Sequence, residues 1–257
     1  MNCVLRYQFT EKRIIKLISG NFIKYNYRNN MILDAIQAIL SMKYYKNTPV
    51  NSGIVHGFPS HEIAIATKLI ENGFDKWHDW DKIQDKSHFR NLTNMREWLT
   101  KPHLSEQMPV GTFIEQPFGT HDAPDFFIKV SDSFILPLEA KSCRGYTPMW
   151  NSGIPKPDFI YVFCSEKADA TTIIKGSSII TSEQSRLIQE HIERHRQDDE
   201  ELNEKLFNLD TKHRGITYYT RPMIQQHGTS DYTNYFKHKN RETDEKEVIE
   251  WIRKKSL

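Results

Sequence analysis

The clearest pattern in the chain is a period-2 alternation across residues 123–142 (APDFFIKVSDSFILPLEAKS). Phe126, Ile128, Val130, Phe134, Leu136, Leu138 and Ala140 form one wholly apolar set. The intervening set holds Asp125, Phe127, Lys129, Ile135, Pro137, Glu139 and Lys141, and is mixed. Such alternation predicts two half-buried β-strands with one face on a core. Ser131-Asp132-Ser133 between them has turn chemistry. A three-residue loop sets Val130 across from Phe134 and Asp125 across from Glu139, with Lys141 on the same face of its strand. A shorter loop would turn the apolar partners to opposite faces, so the pattern selects this register.

Helical periodicity appears on both sides of this hairpin. Residues 31–45 carry Ile32, Ile36, Ile39, Leu40 and Met42 at helical spacing. Ser60 reads as the N-cap of HEIAIATKLIE, which closes at Asn72-Gly73. Residues 74–103 read as helix and loop, and 112–116 as a short strand stopped by Pro117. After a Pro/Gly-rich loop, FIYVFC at 159–164 is apolar on both faces, the mark of a strand inside a covered sheet. Residues 181–209 predict a long charged helix. A last helix from Thr243 has acids in its first turn and Arg253-Lys254-Lys255 at its end, matching the helix dipole. These elements predict an α/β fold: a central mixed β-sheet flanked by helices, with a basic C-terminal extension. The expected division is a basic N-terminal segment and helix (1–50), a core (51–170) and a helical, basic region (171–257).

Composition narrows the class. The 257 residues are 38% hydrophobic and 12% aromatic, enough for a packed interior, while a mean hydropathy of −0.65 implies a very polar exterior. No run of about 18 apolar residues exists, so no membrane helix is expected. The first residues lack a signal peptide's apolar block. Cys3, Cys143 and Cys164 form no CxxC pair and read as reduced thiols, which points to the cytoplasm. The net charge of +2 says little as a total. Its distribution says more: residues 211–241 hold Lys212, Arg214, Arg221, Lys237, Lys239 and Arg241 against the single acid Asp231, interleaved with tyrosines. Such a surface suits phosphate tracking and base-edge contacts. Arg214, Arg221, Gln225, Gln226, Lys237 and Arg241 are its leading candidates, with Lys212 and Lys239 beside them. Arg144 and Asn151, which follow the second strand of the hairpin, are further candidates. His191 and His195 stand one helical turn apart, but HExxH and any four-ligand zinc pattern are absent, so a solvated helix is the reading.

Two carboxylates opposed at hairpin distance repel unless a cation lies between them. An oxygen-rich pair of that kind suits Mg²⁺, which keeps several waters and accepts one or two carboxylates plus a substrate phosphate. Lys141 can reach a metal-bound water or a phosphate oxygen. In outline this is a site for phosphodiester hydrolysis.

Pro124-Asp125, thirteen intervening residues, then Glu139-Ala140-Lys141 resembles the PD-(D/E)xK motif of type II restriction endonucleases. The resemblance covers residues 60–165. It implies a restriction-endonuclease-like core in which Asp125 and Glu139 bind Mg²⁺, Lys141 assists the nucleophile, and Glu62 on the preceding helix is a candidate fourth catalytic residue. Glu62 is expected to share a stripe with Ala66, Leu69 and Ile70. The implied activity is Mg²⁺-dependent cleavage of double-stranded DNA at a short specific sequence. A homodimer and a cognate DNA methyltransferase are the implied partners. A repair or Holliday-junction nuclease with the same core, and a non-catalytic DNA-binding protein on that scaffold, stand as rival readings.

Overall fold

The computed structural model describes residues 21–47, 60–78, 108–117, 123–150, 153–227 and 230–256. Residues 1–20, most of 74–103, and Asn151 lie outside these.

Six strands form one mixed sheet, β1 (Asp75–Lys76), β2 (Thr112–Glu115), β3 (Phe126–Ser131), β4 (Phe134–Cys143), β5 (Ile160–Ser165) and β6 (Ala170–Lys175), ordered as in the chain. Pairing is antiparallel for β2–β3, β3–β4 and β5–β6, and parallel for β1–β2 and β4–β5. With its helices this is an α/β fold. No helix among the described residues is long and apolar enough to cross a membrane.

The hairpin register follows the expectation where the acids lie. Phe126 pairs with Leu138 and Lys129 with Ile135, but Ser131 then pairs with Phe134. The expected three-residue loop is a two-residue one, Asp132-Ser133, with an irregularity in β3 between Lys129 and Ser131. One extra residue gives the same downstream register whether it sits in the loop or in a bulge.

All seven residues of the apolar set enter one core. Against it pack α1 (Asn21–Leu40), α2 (His61–Glu71) and α5 (Arg241–Ser256), which bring Ile32, Ile36, Ile39, Ala64, Ile65, Leu69, Val248 and Ile252. Each fully buried side chain of this kind contributes about 1.5–3 kcal/mol. The opposite face is covered as well, which corrects the half-buried expectation. Phe127, Ile135, Tyr161, Phe163 and Ile174 pack there against Trp150, Phe159, Met108 and Phe236. Alternation alone does not show that loops will cover the mixed face. Even Lys129 is buried at 1% exposure, its ammonium donating to the Asp132 carbonyl at 2.9 Å.

Three boundaries differ from expectation. Helix α1 begins at Asn21 rather than Met31, because a helix nucleated on the Ile32–Ile39 stripe propagates into a polar stretch at little cost. It also stops at Leu40, short of Tyr45. Helix α5 starts at Arg241, two residues early. Strand β6 was not expected; its buried Thr171 and Thr172 break the apolar signal. Since β6 and α5 complete the sheet and its core, the chain beyond 170 is partly built into the same layers.

Helix α3 (Ser182–Asn208) opens on a Thr181–Gln184 capping box and buries no residue. The chain then folds back along it. Asn203 exchanges two hydrogen bonds with the Tyr218 backbone, at 2.8 and 2.7 Å, and Asp199 accepts from the Thr220 hydroxyl at 2.9 Å. A four-residue helix, α4 (Ser230–Thr233), precedes α5.

Candidate active site

The three residues of the motif meet at one end of the β3–β4 pair. Asp125 immediately precedes β3, and its Oδ2 accepts from the Ala140 N–H at 2.7 Å. Its own N–H donates to Glu139 Oε2 at 3.2 Å. Lys141 Nζ donates to Glu139 Oε1 at 2.6 Å, with side-chain exposures of 13% for the lysine and 6% for the glutamate. The Gln116 N–H bonds the Asp125 carbonyl at 2.7 Å and pins the strand entry. Both oxygens of Glu139 are thus engaged, while Oδ1 of Asp125 has no hydrogen bond among the described residues.

Electrostatics single out Asp125. Burial, then the facing Glu139 carboxylate, and more weakly Glu62, push its carboxyl up to about 7, against the opposing pull of the Ala140 N–H and Lys141. Glu62 is therefore close enough to act on Asp125. It is half-buried in the first turn of α2. Its expected stripe holds for Ala66 and Leu69, but Ile70 is 57% exposed and lies off it. Beside Glu62, His61 is buried with neither ring nitrogen hydrogen-bonded, stacked on Tyr45 at 5.7 Å. Burial holds its pKa down to about 4, so it is neutral. Glu115, on β2, pairs with Lys76.

Among the described residues no three His, Cys, Asp or Glu side chains form a ready metal-binding group. Asp125 and Glu139 supply two carboxylates. That donor set would suit Mg²⁺, an oxygen-seeking cation that one or two carboxylates can hold. His191 and His195 on α3 are exposed and hydrogen-bonded to each other at 2.9 Å.

One residue at the site was missed in the sequence. Lys156 lies in the loop before β5, and its charge interacts with Glu139. Its N–H donates to the Tyr161 hydroxyl at 2.7 Å, and Tyr161 is the β5 partner of Glu139. Burial pulls the Lys156 ammonium down to about 8, opposed by Glu139. The only signal available was the parallel β4–β5 pairing, which brings the entry to β5 level with Glu139. Gly176 presses on this loop: a Cβ there would lie 1.8 Å from the Lys156 carbonyl oxygen. Gly176→Ala is expected to destabilise the protein by about 1–3 kcal/mol, several degrees in Tm. Gly145→Ala, whose Cβ would meet nothing within 4 Å, is the control in thermal unfolding.

The residues expected to contact DNA separate into two groups. Arg144, Lys212, Arg214, Arg221, Gln225, Lys237 and Lys239 are exposed. Lys212, Arg214 and Arg221 lie on the chain returning along α3. Lys237 and Lys167 both hold their ammonium over the Tyr146 ring, at 5.7 and 5.2 Å, two residues from Arg144. A cationic cluster thus gathers just past the end of β4. Two candidates are instead built into the fold. Gln226 accepts from the Trp150 indole at 2.9 Å and donates to the Tyr235 hydroxyl at 2.6 Å. Arg241 bonds Glu245 at 2.8 Å and the Phe236 and Thr171 carbonyls at 3.2 Å. Polar side chains so fully engaged hold neighbouring elements together, and the sequence does not distinguish them from solvated ones.

Comparison with protein-family models, with curated proteins and with solved structures finds no match for this chain.

Proposed function

We propose that this protein is a Mg²⁺-dependent endonuclease of the PD-(D/E)xK type that hydrolyses duplex DNA at a short specific sequence. The observation that carries the reading is the hydrogen-bonded cluster of Asp125, Glu139 and Lys141 at the sheet end. Asp125 and Glu139 would hold the cation, which supplies a more acidic water and offsets charge developing on phosphorus. Lys141, tied to Glu139, orients the attacking water. Glu62 adds negative charge on the α2 side. The cationic cluster of Arg144, Lys167 and Lys237 would take neighbouring phosphates. A two-fold dimer would match a palindromic site, and a methyltransferase would protect the host's own copies of it.

Purified protein incubated with a plasmid of known sequence and Mg²⁺, with EDTA as control, tests this. Discrete fragments are the expected result. Cutting confined to branched junctions would move the reading to a recombination nuclease. No cutting with any divalent cation would leave a DNA-binding protein on this scaffold.

A further inference from the structure

We propose that Lys156 is a phosphate-holding residue of this site, a second lysine beside Lys141, held on the loop that is bonded to the Tyr161 hydroxyl. The assignment rests on the nuclease reading and adds a residue outside the Pro-Asp and Glu-x-Lys pattern. Two facts carry it. The first is how firmly the loop is held. The Lys156 N–H is bonded to the Tyr161 hydroxyl, and its carbonyl accepts from the Phe159 N–H at 3.1 Å. The Ser177 N–H bonds the Pro157 carbonyl at 3.1 Å, and the Gly176 N–H bonds the Phe159 carbonyl at 2.9 Å. Pro155 and Pro157 restrict the backbone on either side. These backbone contacts fix the loop on the hydroxyl of Tyr161, whose own Cα pairs with Glu139.

The second fact is what the ammonium lacks. Glu139 already spends one oxygen on Lys141 and the other on the Asp125 N–H. Lys156 has no hydrogen bond or ion pair from its ammonium among the described residues, although it is half-buried and its charge feels Glu139. The ammonium is not among the enclosed polar atoms, so it reaches solvent beside the carboxylates and is open to an incoming anion. A phosphodiester arriving at Asp125, Glu139 and Glu62 meets three carboxylates. Lys156 supplies the charge that Lys141, engaged with Glu139, does not offer it.

Lys156→Met keeps the length and packing and removes the charge. In EDTA, binding of sheared duplex DNA over a salt series is expected to lose about one unit of slope in log K against log salt. With Mg²⁺, plasmid cleavage is expected to fall about 10²-fold, the cost of losing one preorganised donor. Lys156→Cys treated with 2-bromoethylamine regains an amine at that place and should regain cleavage, with wild-type protein alkylated in parallel as control. An unchanged salt slope, a near-wild-type rate for Lys156→Met, or no recovery on alkylation overturns the assignment and makes Lys156 a packing residue. If wild-type protein cuts nothing while the slope still falls, the nuclease reading fails and the phosphate contact stands.

Discussion

Lys141→Ala is expected to bind duplex DNA nearly as well as wild-type protein and to cleave it about 10²–10⁴-fold more slowly. The argument starts from position. Lys141 lies two residues beyond Glu139 on β4, so both side chains leave the same face, and its ammonium rests 2.6 Å from Oε1. Binding survives because phosphate contacts would be spread over Arg144, Lys167, Lys237 and the returning segment, each a small share of the total. Turnover is expected to fall, because the ammonium proposed to orient the attacking water is removed. Lys141→Arg keeps the charge but spreads it over a planar fork, so it should recover only part of the rate. Single-turnover cleavage with Mg²⁺ beside binding in EDTA separates the two effects. Near-normal turnover in the alanine variant would remove Lys141 from the chemistry.

Much of this arrangement was legible because a hairpin is a two-fold code. Seven alternating apolar residues fixed which face meets the core, and that face fixed where Asp125 stands relative to Glu139. The exact turn was not legible, and it did not matter, since a bulge and a longer loop leave the same register. The burial of Lys129 was hidden for a different reason. Period 2 tells which residues share a face, but not whether Trp150 and Phe159 will later cover it. Strand β6 was hidden by Thr171 and Thr172, which pack in the interior with their β-branched bodies while Thr172 bonds Glu245 at 2.6 Å. Lys156, Gln226 and Arg241 share one limit. A charged or amide residue reads identically in sequence whether its end meets water, a carbonyl or an active site, because long-range contacts decide among these.

Asp125→Asn is expected to abolish cleavage and, in metal-free protein at pH 8, to raise thermal stability. The sign follows from the protonation states. Asp125 titrates at about 7 in the fold, against about 3.9 when unfolded. Between those values the folded chain binds a proton that the unfolded chain does not, so stability falls as pH rises from 4 to 7. Above 7 the penalty is constant; below 4 it is absent. The full shift corresponds to about 4 kcal/mol. Solvent screening of a partly exposed carboxyl, and its coupling to Glu139, reduce the expected gain to about 1–2 kcal/mol, a few degrees in Tm. Asparagine keeps an oxygen for the Ala140 N–H and discards the charge that Glu139 and Glu62 repel. Mg²⁺ should reverse the order, stabilising wild-type protein through Asp125 and Glu139 while doing little for the variant. Melting curves at pH 4.5 and pH 8, with and without Mg²⁺, check all of this. A variant less stable than wild type at pH 8, or a gap equal at both pH values, would mean that Asp125 is not held as a strained carboxylate. On the proposed reading, the repulsion that weakens the metal-free fold would be relieved by a divalent cation, so one pair of facing carboxylates would bear on both stability and chemistry.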